Sequence, residues 1–313
     1  MSAKEKVLII GSGPAGYTAA IYASRAGLSP LIISGLEPGG QLTITTDVEN
    51  FPGFENPIQG PWLMEQMRKQ AEAYGTRIMS DYVIKVDFTD TIHKIMTEKE
   101  KFESHTVIIA TGAKAKWLNI DGEEDFRGYG VSACATCDGF FFKDKVVAIA
   151  GGGNTAAEEA LFLSNLCKEV ILIHRRDKLR AEKILQKRLF EKKNIKIIWN
   201  TAVQKILGDI NKKKISSIMI KDLLKKKERE ISIDGFFVAI GHSPTTKVFE
   251  DKVKMDNEGY ILTNADSTKT SVDGVFAAGD VTDKIYRQAV TAAGMGCMSA
   301  LEAESFLTKK KII

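Results

Sequence analysis

The stretch "VSACATCDGFFF" places two thiols, Cys134 and Cys137, two residues apart, with Asp138 directly after the second. Such a pair can hold a metal, staple the chain or pass electrons. Tetrahedral zinc needs four ligands, normally from two paired half-sites. The remaining cysteines, Cys167 and Cys297, are isolated, and His93, His105, His174 and His242 show no ligand spacing. No metal is therefore expected. Four cysteines in 313 residues make no secreted disulfide framework, which argues against a purely structural bridge. A C-x-x-C near a βαβ pattern reads as a redox pair, and Cys167 and Cys297 read as small buried hydrophobes. Asp138-Gly139 is a plain turn signal. Beside a thiol, Asp138 also reads as the proton donor and acceptor for the thiolate that leaves during disulfide exchange.

Two glycine loops could cradle phosphates. In "GSGPAG", Gly11 allows a tight turn, Gly13 lets the backbone approach a pyrophosphate, and Gly16 lets the helix pack closely, with Pro14 and Ala15 between them. The helix start then offers free N–H groups to the phosphates. The acid that usually holds the ribose has one candidate, Glu37, beyond Ser34. In "GGGNTA", Gly151 and Gly153 are followed by Asn154, Thr155 and, at the third position, Ala156. Where a 2′-hydroxyl binder would carry an acid, this chain has His174, Arg175 and Arg176, with Arg180 on the same face if a helical turn begins there. Guanidinium groups bind a 2′-phosphate in fork geometry, so NADPH is expected. Two further strand ends suggest that the first loop serves a flavin: "TVIIATG", carrying Ala110, Thr111 and Gly112, and "GVFAAGD", ending at Asp280. Open α/β sheets bind ligands at such carboxyl ends. Asp280 could accept a ribityl hydroxyl, and the helix after it would point its positive end at the flavin ring.

The elements that must position these groups repeat one grammar: a β-branched run, a glycine turn, an Ala-rich helix. It occurs at "KVLIIGSGPAGYTAAIYASRAG" and again at "KVVAIAGGGNTAAEEALFLSNL". The expected class is α/β with two Rossmann-like dinucleotide-binding domains. "SVDGVFAAGDVTDKIYRQAVTAAG" needs a partner sheet after the second fold is complete. One domain is thus inserted in the other: 1–113 with 243–313, and 114–242 between. A net charge of +4 is too mild to imply nucleic acid, and Lys212–Lys214, Lys225–Lys227 and Lys309–Lys311 read as solvated faces or a frayed tail. No run approaches a membrane span. Val7–Ile10 is too short for a signal core, so the expected compartment is the cytoplasm.

The chain resembles the low-molecular-weight, bacterial-type thioredoxin reductases over its whole length. The motifs are "GSGPAGYTAA", "PGGQL", "ATGA", "SACATCDG", "GGGNTAAEEAL", "HRRD", "FVAIGHSP", "GVFAAGDV" and "YRQAVTAAG". The resemblance implies FAD in the first domain, NADPH in the inserted one, a homodimer, and thioredoxin as substrate. It implies Cys137 as the flavin-side thiol, Cys134 as the thiol that attacks thioredoxin, and Asp138 as the proton carrier. It assigns cofactor contacts to Ser34, Gly35, Leu36, Glu37, Pro38, Gly39, Gly40, Gln41, Asn50, Val83, Gly279, Asp280, Val281, Arg287, Gln288 and Ala289. Ile240 and Gly241 join those contacts at the inserted domain. It also implies rotation of 114–242 in each cycle, with Gly112 and Gly241 as hinges.

Larger disulfide reductases of the glutathione and lipoamide type carry their cysteines in "EPGGQLTITTDVENFPGF", which here has none. Flavoproteins that feed peroxidase systems add an N-terminal redox domain, for which Gly11 lies too near the start. A ferredoxin reductase would lack "CATC", and an NADPH-sensing protein would not need it. A reductase of another thioredoxin-like or glutaredoxin-like protein is the remaining alternative.

Overall fold

The computed structural model describes residues 4–45, 47–88 and 91–313. The chain divides into two compact units, one of residues 1–114 with 243–313 and one of residues 115–242.

In the first unit, β1 (Glu5–Ile10), α1 (Pro14–Arg25), β2 (Leu31–Ile33), α2 (Gly60–Ala73) and β3 (Arg77–Met79) alternate in the expected way. Proline at the first turn of α1 costs no hydrogen bond, because that N–H has no helical partner. Gly27, at φ +71, turns the chain after the helix, and Leu28 N–H closes onto Ala23 O. An antiparallel ribbon follows, β4 (Val83–Asp87) and β5 (His93–Thr97), leading into β6 (Lys101–Ile109).

The second unit opens with β7 (Val131–Ser132) and a single helical turn, α3 (Ala135–Asp138). It continues with β8 (Val146–Gly151), α4 (Asn154–Ser164), β9 (Glu169–Ile173), α5 (Lys183–Glu191) and β10 (Ile195–Ile198). Three antiparallel strands come next, β11 (Thr201–Asp209), β12 (Lys214–Asp222) and β13 (Glu228–Ser232), before β14 (Gly235–Ala239) returns to the parallel sheet. The chain re-enters the first unit, adding β15 (Val275–Ala277) and the long α6 (Ala289–Lys309).

Strand order in the first unit is β3-β2-β1-β6-β5-β4, with β15 also paired to β6; in the second it is β10-β9-β8-β14-β7. The strand leading into each glycine loop, β1 in the first unit and β8 in the second, lies between its successor and a strand from much later in the chain. That reversal opens a crevice at the strands' carboxyl ends. The glycine loops sit there: Ala110 N–H donates to Ile10 O at 2.8 Å beside Gly11, and β8 pairs Gly151 with Ala239.

Small residues let the layers close. A Cβ placed on Gly296 of α6 would lie 2.2 Å from Ala15 O of α1. In the second unit, Phe126, Ile206, Ile218, Ile220 and Phe236 fill the space between the parallel sheet and the three antiparallel strands. The lysine runs fall at the two turns of those strands and at the end of α6, all exposed. Cys167 is buried as expected, whereas Cys297 on α6 is half-buried. No helix among the described residues is long and apolar enough to cross a membrane.

Candidate active site

Cys134 and Cys137 are joined in a disulfide, with Cα atoms 5.3 Å apart. Cys134 caps α3, and Asp138 N–H donates to Cys134 O at 3.1 Å, so the ring closes around one helical turn. Ser132, at the end of β7, accepts Cys134 N–H at 3.0 Å through its hydroxyl. Cys137 is exposed and Cys134 half-buried, with Thr136 Oγ1 3.4 Å from Cys134 Sγ. Burial pushes the Asp138 carboxyl above its ordinary range, and the Ser132 hydroxyl pulls it partly back. A carboxyl whose proton is held more tightly than usual, next to the disulfide turn, is suited to hand a proton to a leaving thiolate. Among the described residues no group of three or more His, Cys, Asp or Glu could hold a metal ion.

In the first unit, a Cβ on Gly11 (φ +109) would lie 2.2 Å from Ala110 O, and one on Gly16 would lie 2.1 Å from Gly11 O. A Cβ on Gly13 would meet nothing within 4 Å, leaving the start of α1 open. Ser12, which no motif singled out, ties the loop down: its hydroxyl donates to Ser34 O at 2.8 Å and accepts Gly39 N–H at 3.1 Å. A Cβ on Gly40 would stand 3.6 Å from Gly13 Cα, so "PGGQ" folds over the glycine loop. Leu36, Glu37, Pro38 and Gln41 are exposed. Gly35 N–H donates to Asp81 O at 3.0 Å, which brings the segment ahead of Val83 alongside Ser34. Thr111 spends its hydroxyl on Thr245 O, at 2.7 Å.

On the far side of this cradle, Gly279 packs on Ala15 and Ala292, and Val281 is wholly buried behind Asp280. Burial, with Asp283 nearby, pushes the Asp280 carboxyl up to about 7 against the pull of Arg287. The Asp283 carboxylate accepts the N–H groups of Ile285, Tyr286 and Arg287 at 2.9, 2.9 and 3.0 Å. That loop holds Arg287 at φ +48, an uncommon conformation for a side chain of this size. Asn50 Nδ2 donates to Gln288 Oε1 at 3.3 Å, so two candidates far apart in sequence meet just before Ala289, where α6 starts.

The second cradle repeats the first with one relaxation. A Cβ on Gly151 would lie 2.4 Å from Ala239 O and 2.5 Å from Ala156 Cβ, and one on Gly153 would meet nothing within 4 Å. Asn154 is a brace, with Oδ1 accepting Glu182 N–H at 2.8 Å and Nδ2 donating to Glu182 Oε1 at 3.3 Å, and Thr155 is half-buried. Arg175, Arg176 and Arg180 are exposed, and among the described residues none is in an ion pair. They lie on an irregular turn, because α5 begins only at Lys183. His174 departs from the liganding role that its position suggests. It is 5% exposed, and both ring nitrogens face backbone carbonyls. Ile240 is exposed and Gly241 half-buried, at φ +104.

Residues 5–296 match the model of the pyridine nucleotide-disulphide oxidoreductase family. A thioredoxin reductase from Rickettsia bellii is 57% identical over 310 residues, covering 99% of this chain and 100% of that one. The chain belongs to the thioredoxin reductase family. Solved thioredoxin reductases from Streptococcus pyogenes and Lactococcus lactis are each 40% identical, with TM-scores of 0.94 and 0.66. The first covers 99% of this chain and 100% of its own, the second 98% and 100%.

Family membership makes this chain an enzyme that uses FAD and NADPH, and the residues present fit both. Each glycine loop leaves its middle glycine facing open space at a helix start, as a pyrophosphate requires. Half-buried Asp280, its carboxyl raised by desolvation and then by Asp283, suits a hydroxyl-rich chain that can donate to it. Three exposed guanidiniums, in no ion pair among the described residues, suit a phosphate.

Proposed function

We propose that this enzyme reduces thioredoxin, acting as a cytoplasmic homodimer, with FAD in the first unit and NADPH in the second. The carrying observation is that the disulfide turn Cys134–Asp138 and the arginine-flanked glycine loop share one unit. Bound FAD supplies the two-electron relay between nicotinamide and disulfide. Once reduced, Cys134 attacks the partner disulfide as the thiolate, breaking its S–S bond and forming a mixed disulfide. Cys137 then attacks Cys134 Sγ, the second partner sulfur leaves, and the Cys134–Cys137 bond re-forms. Asp138 delivers a proton to a leaving thiolate. The partner ends with two thiols and the enzyme with its disulfide, so electrons balance. The assay is NADPH oxidation with thioredoxin from the same genome, and sedimentation of the holoenzyme reads the dimer. A yellow protein that oxidises no NADPH with any such thioredoxin would sink the reading.

Asp138→Asn keeps the shape and removes the acid. It should slow dithiol–disulfide exchange by roughly 10²- to 10⁴-fold, with flavin reduction by NADPH nearly unchanged. Normal turnover in that variant would reduce Asp138 to a turn residue.

One rigid unit carrying both dithiol and NADPH must present them to the flavin in alternation, and we propose that it rotates to do so. Gly112 (φ +68) and Gly241 (φ +104) stand at the two chain crossings, and a Cβ on either would meet nothing within 4 Å. The two solved relatives, equal in identity yet scoring 0.94 and 0.66, support such mobility within the family. An engineered cross-link fixing the dithiol at the flavin should block flavin reduction by NADPH and spare reduction by dithionite. Full NADPH turnover in the locked enzyme would refute rotation.

A further inference from the structure

We propose that His174 is a positioning residue that sets the arginine turn against the second glycine loop, and so governs selectivity for the 2′-phosphate without touching it. The inference rests on the reading that this unit binds NADPH. His174 directly follows β9, which ends at Ile173, where an exposed side chain would face the nucleotide. Instead its ring turns inward. Nδ1 lies 2.8 Å from Gly151 O, in the glycine loop, and Nε2 lies 3.0 Å from Lys178 O, in the arginine turn. Both neighbours are acceptors, so a neutral ring can donate to one of them and a doubly protonated ring to both. The ring also fills the space over Gly152, where a Cβ would come within 2.1 Å of its Cε1, and Trp199 packs edge-on at 6.2 Å. A side chain at position 152 would expel it.

Two further ties join these segments. Arg180 N–H donates to Gly152 O at 2.7 Å, and Asn154 braces Glu182 from the other end. The turn between carries three guanidiniums that face solvent. Long exposed side chains lose much rotamer freedom on binding, so a fixed backbone beneath them matters for selectivity. Asn200 N–H donates to Arg176 O at 3.1 Å and fixes the turn to the next strand's end. The ring, with the Arg180 and Glu182 ties, is what sets Arg175 and Arg176 against the glycine loop.

The test uses holoenzyme and isothermal titration with adenosine 2′,5′-bisphosphate and with 5′-AMP. His174→Phe keeps the ring packed on Gly152 and Trp199 but cannot donate. Its affinity for the bisphosphate should fall roughly 10- to 100-fold, the scale on which small misplacements act, with 5′-AMP affinity within about twofold. His174→Gln, which keeps one donor, should fall between Phe and the native residue. Equal losses for both ligands, or no loss, would overturn the proposal by making His174 an ordinary core residue. Should His174→Phe not fold, the Gln variant decides by the same selectivity ratio. The Arg175→Ala/Arg176→Ala enzyme separates the two levels. If it loses bisphosphate selectivity and the His174 variants do not, only the positioning role fails; if it too keeps selectivity, the phosphate assignment falls and the inference with it.

Discussion

The Cys134→Ser enzyme is expected to lose thioredoxin turnover to background, while Cys137→Ser, equally inactive, traps thioredoxin covalently. The reason is chemical. A serine hydroxyl is neither nucleophile nor leaving group in disulfide exchange, so each variant stops at a different step. With Cys137 replaced, Cys134 can still open the partner disulfide, but no second thiol remains to resolve the adduct. It should accumulate as a thioredoxin-sized shift on a non-reducing gel and vanish with reductant. With Cys134 replaced, Cys137 is left as a lone thiol on the flavin side, and no adduct should form. A long-wavelength absorption from a thiolate against oxidised flavin should then appear in that variant alone. The assignment needs this test because accessibility points the other way. Cys137 is the more exposed residue, and Cys134 is half-buried, its N–H held by Ser132. If Cys134→Ser traps thioredoxin and Cys137→Ser does not, the roles are reversed and exposure was the better guide.

The parts of the site legible in the sequence were those where backbone geometry demands one residue type. Gly11, Gly16 and Gly151 each stand where a Cβ would strike a backbone oxygen, so any chain with this turn must show glycine there. The thiol pair was legible because its spacing closes one helical turn. Asp280 was legible from its place at a strand's end, although its elevated carboxyl depends on burial and on Asp283. Other features were silent. Ser12 holds the first loop to Ser34 and Gly39 through one hydroxyl, and a serine among glycines reads as a turn residue. His174 misled because residue type signals what a side chain can bind and not which way it points. Thr201–Ser232 gave little sign of three antiparallel strands. Lysines crowd its turns, and the apolar positions of β12, among them Ile215, Ile218 and Ile220, do not alternate strictly.

Selectivity for NADPH over NADH should collapse in the Arg175→Ala/Arg176→Ala enzyme, with the KM for NADPH rising steeply and that for NADH nearly constant. The two cofactors differ only at the ribose 2′ position, so a group that binds the phosphate changes one KM and not the other. Truncating one side of a hydrogen-bonded charge pair typically costs about 2–5 kcal/mol. At about 1.4 kcal/mol per tenfold, that spans roughly 30- to 4000-fold. These guanidiniums are exposed, and water screens what they contribute. The expected rise therefore lies at the low end, roughly 30- to 100-fold. Screening also makes a second, independent signature. Added salt should raise the native KM for NADPH, should barely move that for NADH, and should have lost most of its effect in the double variant. Arg180→Ala should do less, since the backbone tie from its N–H to Gly152 O survives loss of the side chain. Equal penalties for NADPH and NADH, or a salt response unchanged by the substitutions, would place the 2′-phosphate elsewhere in the unit.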